Sequence, residues 1–421
     1  MHSVENALAI AFADIRVEQS VVIAFSGGVD SSVLLHACHQ YAQNSGHHIK
    51  ALHIDHQLQA NSSDWEQHCQ QFCAALDIDY VSMQVDTQAY SDNGPEGAAR
   101  EARYQAFADY LQAEEVLFTA HHADDQVETL LLRLLRGAGT QGLVGCVAHR
   151  ALGLGQLLRP LLQVTQQDIL NYAESYQLHW CEDPSNQSTQ PDRNYLRHEV
   201  MPKLLQRWPH LRESVLRAGR WQAESAQLLD RLARQDCADG DDNPLPIERL
   251  PLNELSSLKN ALRWWIRQQG FQVPSAKVLQ EIITQLLPAA QDAEACVRWS
   301  QVELRKYRDK LYILAALQPH SPAQNISWDL QQPLTIASVG VTLTRDQLDS
   351  AGLRLHHIER LQVRFRQGGE SLRPRGRDCE KTLKALFQEQ AIPPWQRDRI
   401  PLLYHNEQLI YVYGYWIHEG Y

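Results

Sequence analysis

The chain has 421 residues, is 44% hydrophobic and 21% charged, and carries a formal net charge of −11. That length predicts two or three domains rather than one. No run of about 18 apolar residues occurs, and Met1 to Asn6 lacks the basic region and apolar core of a secretory leader, so a membrane span is not expected and a cytoplasmic location is. The eight cysteines are scattered without a Cys-x-x-Cys, which points to reduced thiols rather than an iron–sulfur or zinc cluster.

Residues up to about 215 alternate strand and helix. Val21 to Phe25 is an apolar β-branched run expected as a buried parallel strand, and Val33 to Cys38 lies in the helix after it. Ile49 to Asp55, Tyr80 to Val85 and Val116 to Thr119 read as further strands. Ser63-Asp64-Trp65-Glu66 reads as a capping box before a helix carrying Cys69, Phe72, Cys73 and Leu76. Gly97 to Leu111 reads as helix. From Asp124 a helix places Val127, Leu130, Leu131, Leu134 and Leu135 on one apolar stripe. This alternation predicts an α/β, doubly wound, Rossmann-like parallel sheet with its ligands beyond the carboxyl ends of the strands.

Met201 to about Leu317 reads as helical, with an acidic, Pro-containing break at Asp236 to Pro246. A linker from Gln318 precedes a strand-like tail that includes Leu409 to Tyr413. The expected domains are a catalytic unit over 1–215, a helical middle domain over 216–317, and a linker with a small α+β domain over 318–421.

The acidic balance argues against indiscriminate nucleic-acid binding. Its distribution does not. Arg193 to Arg220 holds seven Lys/Arg against two acids, Val297 to Leu311 five against two, and Arg364 to Lys384 seven against three. Basic stripes on an acidic body suit docking of a folded RNA, although solvated helix faces would give the same counts.

The stretch with most chemical content is Ser26-Gly27-Gly28-Val29-Asp30-Ser31. The glycines allow a sharp turn and close ligand approach, and the helix start presents unpaired N–H groups and a partial positive charge. Asp30 beside an anion makes sense if it holds Mg²⁺. The Gly-x-x-x-x-Gly-Lys-Ser/Thr pattern is absent. His53-Ile54-Asp55-His56 closes the second strand, next to the expected base or ribose. Arg100 and Arg103, one helical turn apart, suit phosphate oxygens. Thr119 to Thr129 places His121, His122, Asp124 and Asp125 at a strand end and helix start. N-capping explains one of those aspartates but not the cluster. Arg136-Gly137-Ala138-Gly139 opens a Gly-rich loop.

Ser-Gly-Gly-x-Asp-Ser resembles the pyrophosphate loop (PP-loop) of the N-type ATP pyrophosphatases. In order along the chain, the stretches above resemble the tRNA(Ile)-lysidine synthetases. So do Arg159-Pro160-Leu161-Leu162, Glu182 to Asn186, Arg193-Asn194-Tyr195-Leu196-Arg197, Arg364 to Glu370, Arg373-Pro374-Arg375-Gly376-Arg377, Lys381 to Lys384 and Ile392 to Trp395. The middle region resembles the family more loosely, through Ala261-Leu262-Arg263-Trp264-Trp265.

The resemblance implies ATP-dependent adenylation of the wobble cytidine of a CAU-anticodon tRNA(Ile), then attack by the ε-amine of free L-lysine. The product reads AUA and is charged with isoleucine. It implies ATP contacts at Ser26, Gly27, Gly28, Val29, Asp30, Ser31, His53 and Ile54, with Mg²⁺ on Asp30. It implies catalytic roles among Asp30, Arg100, Arg103, His122, Asp124 and Asp125. Arg193, Arg197, Arg373, Arg375, Arg377 and Lys381 are expected on tRNA, and Trp264, Trp265 and Trp395 could stack on bases or fill cores. A homodimer stays open. A PP-loop tRNA thiolase is the alternative, disfavoured because paired cysteines are missing.

Overall fold

The computed structural model describes residues 2–55, 62–87, 94–183, 187–237, 240, 242–290, 295–355 and 357–421, with backbone alone at 62, 63, 95 and 96. His56 and 184–186 of the motifs above lie outside the described residues. Two compact units divide the chain, Met1–Leu228 and Leu229–Tyr421.

In the first unit the described elements run α1 (Ser3–Phe12), β1 (Val21–Ala24), α2 (Val29–Ser45), β2 (Ile49–Asp55), α3 (Ser62–Ala75), β3 (Asp79–Gln84), α4 (Gly94–Tyr110), β4 (Val116–Phe118) and α5 (Ala123–Leu135). They continue with β5 (His149–Leu152), β6 (Gly155–Leu158), α6 (Gln166–Ser175), α7 (Asp192–Tyr195), α8 (Met201–Arg207) and α9 (Leu211–Asp236), whose last turns belong to the second unit. The sheet order is β3-β2-β1-β4-β6-β5, parallel throughout except for the β5–β6 hairpin.

The β1 strand shows why both faces are covered. Val21 and Ile23 pack with Leu8 and Phe12 of α1, Leu34 of α2 and Tyr172 of α6. Val22, between them, packs on the opposite face with Phe107 and Leu111. Period-two alternation in an all-apolar strand therefore buries it twice, as a doubly wound sheet requires. Strand order reverses between β1 and β4, so a crevice opens at their carboxyl ends.

Two local expectations change. Helix α3 starts at Ser62, which places Ser63 inside it rather than at its cap. The stripe on α5 is buried only at its start. Val127 packs with Leu196 and Met201, whereas Leu134 and Leu135 are exposed. Periodicity marks a helix face but not the length of it that a neighbour covers.

The second unit contains the expected helices α10 (Leu255–Gln268) and α11 (Ala276–Glu281). It also holds an antiparallel sheet, ordered β7-β10-β9-β8, from β7 (Leu245–Pro246), at the end of the expected Pro-containing break, and β8 (Cys296–Trp299), β9 (Val302–Tyr307) and β10 (Lys310–Ala315), where helix was expected. Trp264 and Trp265 are buried against Leu304 and Leu311 of this sheet, so neither is available to stack on a base. The tail forms a five-stranded antiparallel sheet over Asn325–Ile417, with helices Arg345–Ser350 and Leu383–Glu389. Trp395 packs edge-on against Tyr307 and Tyr312 with the Arg305 guanidinium 5.2 Å from its ring, which is a structural setting.

Candidate active site

The Ser26–Ser31 turn follows β1 and enters α2. Gly27 has φ +80°, and a Cβ there would lie 2.5 Å from Trp65 Nε1 and 2.8 Å from Cys69 Sγ, so the position demands glycine. Trp65 Nε1–H donates to the Ser26 carbonyl at 2.6 Å, and the Cys181 N–H donates to the Gly27 carbonyl at 2.9 Å. Ser31 Oγ–H donates to the Gly28 carbonyl at 3.0 Å, and the Ser26 and Ser31 hydroxyls lie 3.0 Å apart. These bonds fix the turn from behind. Gly28 caps α2 without a side-chain bond, which leaves the first-turn N–H groups directed at the crevice.

Asp30 stands in that first turn. Burial raises its carboxyl above the ordinary aspartate value, against the opposing pull of His122. Its Oδ1 is buried with no hydrogen-bond partner among the described residues. Its Oδ2 lies 3.8 Å from His122 Nε2. No group of three or more His, Cys, Asp or Glu is arranged to hold a metal among the described residues. One orphaned carboxylate oxygen does not make a protein cage, but it fits Mg²⁺, which keeps waters and phosphate oxygens as its other ligands.

The β4–α5 turn supplies the facing wall. His122 is buried, with Nε2 also 3.5 Å from Asp125 Oδ2. His121 Nδ1 lies 3.0 Å from Thr119 Oγ1, and burial holds its ring well below the usual histidine range, hence neutral. His53 Nδ1 is 2.9 Å from the Phe25 carbonyl, which ties the β2 end to the β1 end; Ile54 beside it is half-buried.

The two aspartates are already engaged. Asp124 accepts from the Gln166 N–H at 2.9 Å, capping α6, and from Arg212 Nε. Asp125 accepts from the His122 N–H at 3.1 Å and from Arg193 Nη2 at 2.8 Å. Burial pushes the Asp125 carboxyl up, but His122, Arg193 and His121 outweigh it and hold it below its ordinary value. Glu128, one turn on and buried, accepts from Arg193 Nε at 2.9 Å and Arg197 Nε at 2.6 Å.

Thus Arg193 and Arg197, expected on tRNA, point inward to a four-residue ion-pair cluster. The basic stripe divides: Arg193, Arg197 and Arg212 hold acids of α5, while Lys203, Arg207, Arg217 and Arg220 are exposed. Sequence reasoning passed over Glu128. Its spacing of three from Asp125 put both on one helix face and was the available signal.

On α4, Arg100 is exposed and lines a cavity with Tyr104, and Arg103 is half-buried. In the second unit, Arg298 and Arg305 both serve buried Glu303, and Lys306 Nζ serves the Leu287 and Ala289 carbonyls, while Arg298, Arg308 and Lys310 are exposed. Arg373 pairs with Glu419 at 2.5 Å. Arg377 and Lys381 share Glu389, at 2.7 and 2.5 Å. Arg375 is exposed and donates to the Gly352 and Tyr421 carbonyls.

Three family models match this chain: a PP-loop domain over residues 1–204, a TilS substrate binding domain over 245–312 and a TilS substrate C-terminal domain over 361–421. The tRNA(Ile)-lysidine synthase of Coxiella burnetii is 43% identical over 95% of this chain and 89% of its own length. Those of Alkalilimnicola ehrlichii and Legionella pneumophila strain Paris are 40% and 38% identical, over 92% and 95% of this chain and 88% and 92% of theirs. A solved U34-tRNA thiolase from Methanococcus maripaludis is 15% identical, with a TM-score of 0.44 over 52% of this chain and 78% of its own, too remote to bear on activity.

Proposed function

This chain belongs to the tRNA(Ile)-lysidine synthase family, and we propose that it joins lysine to the wobble cytidine of a CAU-anticodon tRNA(Ile) in the cytosol. One observation carries the geometric side of this reading. Asp30, in the first turn of α2, keeps Oδ1 orphaned while its Oδ2 lies 3.8 Å from buried His122 across the switch point.

A ring carbonyl oxygen is a poor leaving group. Attack by that oxygen on the α-phosphorus of ATP releases pyrophosphate and leaves the oxygen esterified to AMP. The lysine amine then forms a C–N bond as the C–O bond to AMP breaks, and the amine gives up a proton. Backbone N–H groups of Gly28 to Ser31 would receive the pyrophosphate, Asp30 would hold Mg²⁺, and His53 and Ile54 would flank the adenosine. Bound there, Mg²⁺ would neutralise charge on the departing pyrophosphate. Arg100 and Arg103 would meet the charge that develops at the α-phosphate.

Lysine's ε-amine has a pKa of about 10.4 in water and must lose a proton before it attacks. Asp124 is committed to Arg212 and Gln166, and Asp125 is paired with Arg193, while His122 and Arg193 hold its carboxyl low, which makes both poor bases. We assign the proton to His122 rather than to either aspartate. Arg193 and Arg197 become organisers of α5, whereas Arg373, Arg375, Arg377 and Lys381 stay assigned to tRNA.

The test is incubation with ATP, Mg²⁺ and labelled lysine, with and without tRNA. Label that enters RNA only with ATP, survives mild alkali and maps to the wobble cytidine is the expected result. ATP cleavage to AMP with tRNA but no lysine transfer would discard lysine as the nucleophile.

A further inference from the structure

A cavity of about 480 Å³ lies below α4 and the end of β6, lined in part by Arg100, Tyr104, Arg133, Cys146, Arg150 and Arg159, with Glu101 on the wall. Arg159 Nη2 donates to the Tyr104 hydroxyl at 3.0 Å. The guanidinium carbons of Arg100 and Arg150 lie 5.0 and 5.2 Å from the Tyr104 ring centroid. Arg133 Nη1 donates to the Gly142 and Gly145 carbonyls at 2.9 Å each. The described polar contacts of these four arginines are carbonyl oxygens and the Tyr104 ring and hydroxyl, with no carboxylate ion pair among them.

Four guanidinium groups on one cavity repel each other. Burial, with Arg159 and Arg100 as neighbours, holds the Arg150 guanidinium below its ordinary range. An anion placed among them would relieve that repulsion, and the planar forks suit the oxygens of a phosphate. The position indicates which phosphate. Arg159 directly follows β6, and β4 with its His121–His122 turn separates β6 from β1 and the Ser26–Ser31 loop. The cavity therefore lies on the side of the histidines away from the polyphosphate turn, with Arg100 on its wall as the one member also assigned to the α-phosphate.

We propose that this cavity holds a phosphodiester of the tRNA anticodon loop beside the reacting cytidine, with Arg150 as a positioning residue. The inference rests on the proposed function.

Arg150 is exposed on the β5–β6 hairpin, so its replacement leaves the fold intact. Arg150→Ala and Arg150→Lys in the full chain would be compared with wild type. Filter binding of a CAU-anticodon tRNA(Ile) transcript over a salt series reads RNA affinity, and equilibrium dialysis with Mg-ATP reads nucleotide affinity. The expected result for Arg150→Ala is about tenfold weaker tRNA binding, a salt slope smaller by about one, and unchanged ATP affinity. The KM for tRNA should rise more than kcat falls, and Arg150→Lys should recover part of the loss. Weakened ATP binding with unchanged tRNA binding would transfer the cavity to the triphosphate and overturn the proposal, as would no change in either. Filter binding needs no lysine transfer. A wild type that binds tRNA but transfers no lysine would sink the proposed function separately.

Discussion

Asp30 Oδ2 and His122 Nε2 lie 3.8 Å apart, so the first and fourth strand-to-helix turns meet across the point where the strand order of the sheet reverses. The pair sets function against stability. Burial raises the Asp30 carboxyl, which means that its ionised form is disfavoured in the folded state. Its contribution to stability is best below the unfolded value and declines as pH rises towards the folded one. At neutral pH, Asp30→Asn removes that penalty. The variant should melt at a higher temperature in calorimetry while lysine transfer falls by at least about 100-fold. A lower melting temperature would show that the charge is compensated in the fold.

Gly27 offers a cleaner test of the turn. Alanine there must accept φ +80°, which costs about 1–2 kcal/mol, and its Cβ must displace Trp65 and Cys69. Strain in the turn moves the N–H groups off the phosphates. Gly27→Ala should raise the KM for ATP by about tenfold or more, since each 1.4 kcal/mol is worth that factor. The KM for lysine should move far less. Equal changes in both would mean that the turn supports the whole site rather than the nucleotide.

The parallel sheet and its crevice were legible in the sequence because strand residues such as Val21 to Ile23 are apolar on both faces and the turns after them are rich in glycine or capping groups. What stayed hidden were partnerships over long sequence separation. Nothing local says that Arg193 and Arg197 turn inward to Asp125 and Glu128 rather than out to RNA, because a guanidinium in sequence looks the same in either state. The four-stranded sheet in the middle region was missed for a related reason. Its strands, such as Val302 to Tyr307, alternate charged and apolar residues too briefly to be told from a turn of amphipathic helix. Trp264 and Trp265, which could have stacked on bases or filled a core, do the latter beneath that sheet.

The Arg193–Arg197–Asp125–Glu128 cluster carries a pH signature. Against the effect of burial, His122 and the cluster's Arg193 hold the Asp125 carboxyl below its ordinary value. The stability this gives is present above the unfolded pKa of about 3.9 and is lost as pH falls through the lower folded value. Arg193→Ala should therefore move the acid-unfolding midpoint, followed by circular dichroism, to higher pH. At pH 7 it should destabilise the first unit by about 2–3 kcal/mol, because it leaves buried acids short of a partner. Adding Glu128→Gln should recover part of that loss. An unchanged acid midpoint would remove the cluster from the stability of the fold.

In the C-terminal sheet domain the cations proposed to meet RNA are partly neutralised in advance. Glu389 sits between Arg377 and Lys381, which together hold its carboxyl below the usual range, and Glu419 pairs with Arg373. Binding a phosphate must therefore displace a carboxylate, which weakens each contact. Replacing Arg373, Arg375 and Arg377 together by alanine should reduce tRNA affinity and lower the salt slope by about 2 to 3, if each meets one phosphate. ATP affinity should not change. Glu389→Gln should act in the opposite direction, because it leaves Arg377 and Lys381 free for the polyanion. Tighter tRNA binding at low salt, converging with wild type at high salt, is the expected pattern in a filter-binding titration. If the triple variant and Glu389→Gln both bound tRNA as wild type does, this basic segment would have no part in RNA recognition.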